Sequence, residues 1–195
     1  MTAANEKDAG ASTARVRRIA SLGRRSFMAG VAAVIAYTSP SSIYADDGSS
    51  SANAGDVVEI GMYTQDGEDF FDPVGVHVEP GTTIRFILRR GQHDTVAYHP
   101  DNDAPQLRIP EGAEPWRSPM LTERGETFEV TLTEEGVYDY FCAPHEFAGM
   151  VGRIVVGDPD ASPGAPIEDL VFDNARAAMP SVEDIVDRGV VNHGD

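Results

Sequence analysis

The sequence predicts an all-β fold, a sandwich of seven to eight strands followed by a short helical C-terminal tail. Three observations carry this. Short β-branched runs recur between turn residues from 56 to 157, at the spacing of a two-sheet sandwich. Along residues 82–88 the side chains alternate, with Thr83, Arg85 and Ile87 on one face and Ile84, Phe86 and Leu88 on the other; the second set is expected to be buried. Past residue 157 the period changes, and Ile167, Leu170, Val171, Ala175 and Ala178 recur at helical spacing.

Residues 1–45 read as an export signal and not as structure. Arg24-Arg25-Ser26-Phe27-Met28 is a twin-arginine pair leading into an apolar run over 27–37, too short to cross a bilayer as a helix. Small residues over 41–45 offer a cleavage site after Ala45. No cysteine stands directly after the apolar run, so no lipid anchor is expected there. Residues 46–55, rich in Ser, Gly, Asp and Ala, form a flexible spacer. The product is expected outside the cytoplasm, soluble or loosely associated with the outer face of the cell membrane.

The main domain is assigned to residues 56–157, with strands over 57–62, 74–78, 82–88, 93–98, 127–132, 137–142 and 151–156. Pro80-Gly81 closes the second strand. Residues 100–126 are irregular and hold the only tryptophan, Trp116; a loop of this length is functional or docked across the surface. Residues 158–195 form an extension, partly helical, in which Ser181 caps a second short helix carrying Val182, Ile185 and Val186 before Gly189. The extension either braces the sandwich or docks a partner.

Charge narrows the function. Asp plus Glu number 32 against 15 Lys plus Arg; beyond residue 45 the balance is 30 acidic to 9 basic, a net of −21 without a single lysine. That argues against nucleic acid or an anionic membrane as a partner. It fits a hypersaline medium, because at roughly 1 M salt the Debye length falls to about 3 Å and self-repulsion is screened. The alternative is an acidic protein of ordinary salinity, against which the missing lysines count.

Residues 138–150 read Tyr-Asp-Tyr-Phe-Cys-Ala-Pro-His-Glu-Phe-Ala-Gly-Met and gather the only cysteine, Cys142, with His145 and Met150. A thiolate, an imidazole and a thioether suit copper. Alternation puts Tyr138, Tyr140 and Cys142 on one inward face, and His93 opens another strand at the same end. Pro144 stiffens the loop, and Gly149 permits a tight turn before Met150. A free thiol in an oxidising compartment is a liability that ligation removes. His77 alternates with Val76 and Val78 and is expected to face solvent. His99, at the far end of the strand that His93 opens, is a minor candidate ligand. His193 sits in a polar terminus, and Met62, Met120 and Met179 have no His or Cys beside them.

The spacing Cys142-x-x-His145-x-x-x-x-Met150 resembles the strand, loop and strand of the plastocyanin-like cupredoxins, halocyanins included. Phe71-Asp72-Pro73, Glu79-Pro80-Gly81-Thr82 and Phe86 resemble their approach to the first ligand, which falls on His93. The resemblance implies a Greek-key sandwich holding one copper ion, as Cu(II) or Cu(I), through His93, Cys142, His145 and Met150. It also implies a hydrogen bond tying the two ligand loops together, made in the family by an asparagine after the first histidine; Asp94 or Thr95 takes that place here. The electron is expected to pass by the His145 edge through a docking patch of Pro144, Phe147 and Ala148, and Phe141 matches a position near a second docking surface. No open coordination position is expected, so the reading is an electron carrier and not an enzyme. Its partners would be membrane-bound redox proteins as donor and acceptor, with no nucleic acid and no small-molecule substrate, and the carrier would be a monomer. The alternative is a copper chaperone or scavenger delivering copper to an extracytoplasmic oxidase. Oxidases and reductases of this fold need further domains and more histidines than the five present.

Overall fold

Alternation and turn chemistry account for most of the architecture in the computed structural model, which describes residues 55–195. The residues expected to form an export signal, and nearly all of those expected to form a spacer, lie outside the described residues. Nine strands are present among the described residues: β1 (Val57–Gln65), β2 (Glu68–Asp72), β3 (Gly75–Val78), β4 (Thr82–Leu88), β5 (Val96–Ala97), β6 (Thr127–Leu132), β7 (Gly136–Phe141), β8 (Val151–Val156) and β9 (Val190–Val191). They form two sheets, ordered β2-β1-β4-β6 and β5-β7-β8-β3-β9. The pairs β1–β4 and β3–β8 are parallel and the others antiparallel, the crossed connectivity of a Greek-key sandwich.

Between the sheets lies one apolar core. Ile84, Phe86 and Leu88 of β4 are fully buried, as their alternation requires, and meet Ile60 and Met62 of β1 and Tyr138, Tyr140 and Ile154 across the sandwich. The β1–β2 hairpin closes on Asp66 and Gly67, with φ of 54° and 91°, the left-handed pair that a two-residue hairpin turn needs. Its register sets Thr64 opposite Asp69.

Three expectations are corrected. The strand expected over 93–98 shrinks to Val96–Ala97, because His93 instead bridges to Leu121 and Val96 to Arg117. The irregular stretch thus folds back as a partner for the first ligand loop. β2 and β9 were not expected at all, and β1 continues to Gln65 to pair with β2. The helix suggested by residues 167–178 is split into a single 3-10 turn, Ile167–Asp169, and α1 (Asp173–Ala178).

The tail packs on the sandwich. α2 (Val182–Arg188) starts at Ser181, whose hydroxyl accepts from the Asp184 amide at 3.0 Å, and stops at Gly189. Leu170, Ala175 and Met179 cover Val96, Phe141 and Val151, while Ile185 and Val191 cover Val74, Val137 and Val155. As a result β7 and β8 are buried on both faces. A charged residue is caught there: the fully buried Asp139 accepts from Arg108 Nε at 2.9 Å and from Arg153 Nε and Nη2 at 2.7 and 3.0 Å. The same arginines reach out to the carbonyls of Ala165, Pro166 and Pro180, each at 3.0 Å.

Candidate metal centre

The centre is assembled at one end of the sandwich from two loops. His93 is held by paired backbone hydrogen bonds with Leu121, at 3.2 and 2.8 Å. Cys142 follows the last residue of β7, and the loop after it closes at once. The amides of His145 and Glu146 donate to the Cys142 carbonyl at 3.0 and 2.8 Å, and the Cys142 amide donates to the Met150 carbonyl at 3.0 Å. Gly149 completes the turn with φ of 103°; a Cβ there would press on the Asn174 carbonyl of α1 at 3.2 Å. Asn174 also donates to the Phe147 carbonyl at 3.1 Å, so α1 supports the loop from outside.

Three donor atoms converge. His93 Nδ1 and His145 Nδ1 are 3.1 Å apart, and Cys142 Sγ lies 3.7 and 3.5 Å from them. The circle through these atoms has a radius of about 2.0 Å, close to the roughly 2.0–2.3 Å at which zinc-sized ions hold imidazole nitrogen and thiolate sulfur. The residues therefore fit one first-row metal ion. Among the described residues this is the one cluster of such donors. Met150 is fully buried in the same loop, and its amide donates to the His145 carbonyl at 3.1 Å.

Burial bears on two of the three donors. Burial pushes the Cys142 thiol well above its ordinary range, an effect that the Asp94 amide pointing at the sulfur partly offsets. Burial, followed by the neighbouring His145, lowers the pKa of His93. Of the two rings, His93 is closed off from solvent and His145 is a quarter exposed.

The profile of the copper binding proteins, plastocyanin/azurin family, matches residues 58–157. This chain belongs to that family. A plastocyanin from Solanum crispum is 33% identical over 104 residues, covering 51% of this chain and 99% of its own. One from Lactuca sativa is 36% identical over 103 residues, covering 50% and 98%. Among solved structures, a pseudoazurin from Sinorhizobium shares 31% identity with a TM-score of 0.49, covering 63% of this chain and 90% of the other. Membership of the plastocyanin/azurin family makes copper the cofactor, and one-electron exchange with redox protein partners is the role the family implies.

Asp94 ties the ligand loops together: its Oδ1 accepts from the Ala143 amide at 2.7 Å. Thr95 turns away, its hydroxyl accepting from Trp116 Nε1 at 3.1 Å and its amide donating to Ser118 Oγ at 3.0 Å. Pro144, Phe147 and Ala148 are exposed around His145. Phe141 is not at a docking surface; it lies buried beneath Tyr98 and the tail. His99 caps the 3-10 turn Pro100–Asn102 through its Nδ1 and is not part of the donor cluster. His77 is half-buried, with Nε2 2.9 Å from the Gly157 carbonyl, and His193 stacks on Phe70.

Sequence reasoning missed what lies behind the rings. His93 Nε2 is 3.1 Å from both the Arg90 carbonyl and Thr64 Oγ1, and Asp69 stands beyond. The available signal was Asp66-Gly67, a hairpin turn that sets Thr64 opposite Asp69.

Proposed function

We propose that the protein is an exported, mononuclear type 1 copper protein of the halocyanin type, carrying single electrons between membrane-bound redox proteins at the outer face of the cell membrane. Residues 1–45 supply a twin-arginine signal, 46–55 a spacer, 56–157 the copper domain and 158–195 a bracing extension. His93, Cys142, His145 and Met150 would hold the ion, and copper so held would supply a one-electron Cu(II)/Cu(I) couple. His145 offers the exposed edge, ringed by Pro144, Phe147 and Ala148, for a brief encounter with a partner. The protein acts as a monomer and turns over no substrate.

The observation that carries this reading is the convergence of the two Nδ1 atoms and the sulfur on a circle of metal-bond radius. Burial of His93, Cys142 and Met150 also favours a carrier over a chaperone, which must surrender its ion. Adding Cu(II) to the purified protein is expected to give an intense blue thiolate-to-copper band, abolished by Cys142→Ser and kept by His99→Ala. A pale or colourless complex of the unmutated protein rules the carrier out.

A further inference from the structure

We propose that Asp69 is a positioning residue for the copper centre: its carboxylate, hung from Thr64, faces the outer nitrogens of both imidazoles and biases the site toward Cu(II). The inference rests on the copper reading above.

The geometry is that of one carboxylate shared by two rings. Asp69 Oδ2 lies 3.7 Å from His145 Nε2, and Oδ1 lies 3.9 Å from His93 Nε2. Thr64 Oγ1 donates to Asp69 Oδ1 at 2.6 Å and sits 3.1 Å from His93 Nε2, so it is placed to accept from the ring while donating to the carboxylate. With each Nδ1 turned toward the metal position, each Nε2 carries the ring proton. For His93 that proton goes to the Arg90 carbonyl and Thr64, fixing the tautomer; such partners also raise the basicity of the ligating nitrogen.

The arrangement is built in by the backbone. Thr64 and Asp69 are opposite each other across the β1–β2 hairpin, and the Thr64 amide donates to the Arg90 carbonyl at 2.9 Å. Gly91 permits this closeness: its φ is 95°, and a Cβ there would stand 2.2 Å from Thr64 Oγ1 and 2.6 Å from His93 Nε2. Asp69 is one-fifth exposed, so its charge is weakly screened. A fixed negative charge on the far side of both rings stabilises the more positive metal state, Cu(II), over Cu(I).

The test is a potentiometric titration of the copper-loaded full chain against one-electron mediators, comparing Asp69→Asn, Thr64→Val and Glu68→Gln. At fixed ambient potential, Asp69→Asn is expected to move the Cu(II)/Cu(I) ratio roughly tenfold toward Cu(I), which is 59 mV for one electron. Thr64→Val, which unhooks the carboxylate and keeps its charge, moves it the same way by less. Glu68→Gln removes an equal charge from the exposed face of the same hairpin and is expected to move it less than twofold. Equal shifts for Asp69→Asn and Glu68→Gln, or none for Asp69→Asn, overturn the proposal. If Asp69→Asn does not fold, an unmoved ratio in Thr64→Val does so. In the copper-free protein, nitrogen-15 NMR of the imidazoles supplies an independent readout: the His93 Nε2 proton is expected to exchange at least tenfold faster in Thr64→Val, and unchanged exchange counts against the relay. A wild-type protein that never turns blue defeats the copper reading instead; blue variants with an unmoved ratio defeat this inference alone.

Discussion

Phe147 is the most exposed large apolar side chain of the ligand loop, 60% accessible beside the one open imidazole edge. Its carbonyl accepts from Asn174, so the loop is held there without the exposed ring. Phe147→Ser is therefore expected to slow electron exchange several-fold while leaving the blue band in place, as stopped-flow mixing with a redox partner at molar salt would show. His93 gives a second test. Because its pKa is lowered in the fold, the unfolded chain takes up a proton near pH 6.5 that the folded, copper-free chain refuses. Stability that is complete above that value falls as the pH drops below it. Urea midpoints of the copper-free protein are expected to be lower at pH 5.5 than at pH 7.5, and equal midpoints would contradict the assignment. Cys142 and His145 were legible in the sequence because they lie three residues apart in one short loop, and the structure brings them together with His93. Asp69 was not, since its place beside His93 depends on the pairing of two strands.

At the level of elements, β4 was legible from alternation, and α2 from its serine cap and terminal glycine. β7 was half legible. Alternation identified Tyr138, Tyr140 and Cys142 as inward, but nothing local showed that Val137, Asp139 and Phe141 are buried as well, because the tail that covers them comes later in the chain. The His93 segment failed for a related reason: its backbone hydrogen bonds go to Leu121, Ser118 and Trp116, within a stretch that has no strand pattern of its own. Asp139 is where this second layer is tested. It holds two buried guanidinium groups that in turn grip three tail carbonyls. Removing one member of a buried ion pair costs about 3–5 kcal/mol by leaving its partner charged and unpaired. Asp139→Ala is expected to lose at least that much in urea unfolding, with two cations stranded; a loss under 1 kcal/mol would show that the tail is held by its apolar contacts alone.

For the whole molecule the charge is even more lopsided at the surface than in the sequence. Of the nine arginines beyond residue 45, Arg108 and Arg153 are buried on Asp139, and Arg85 and Arg89 are spent on Glu59 and Glu129. The outward field is therefore predominantly negative, with Arg90, Arg117 and Arg124 among the exposed cations. Its self-repulsion is screened by added ions, so the thermal midpoint is expected to climb steadily as potassium chloride rises from dilute buffer toward molar concentrations, and a midpoint that is highest in dilute buffer would remove the hypersaline reading. The two buried arginines also bear on how the molecule is made. The carbonyls they need, on Ala165, Pro166 and Pro180, lie downstream of His93, Cys142, His145 and Met150, as does the Asn174 that pins the ligand loop. A ribosome that has just released Met150 has delivered every donor atom and none of these supports. The outer supports of the centre therefore join it only once residues 165–180 have been made, and a shorter chain would carry the thiol and both imidazoles without them.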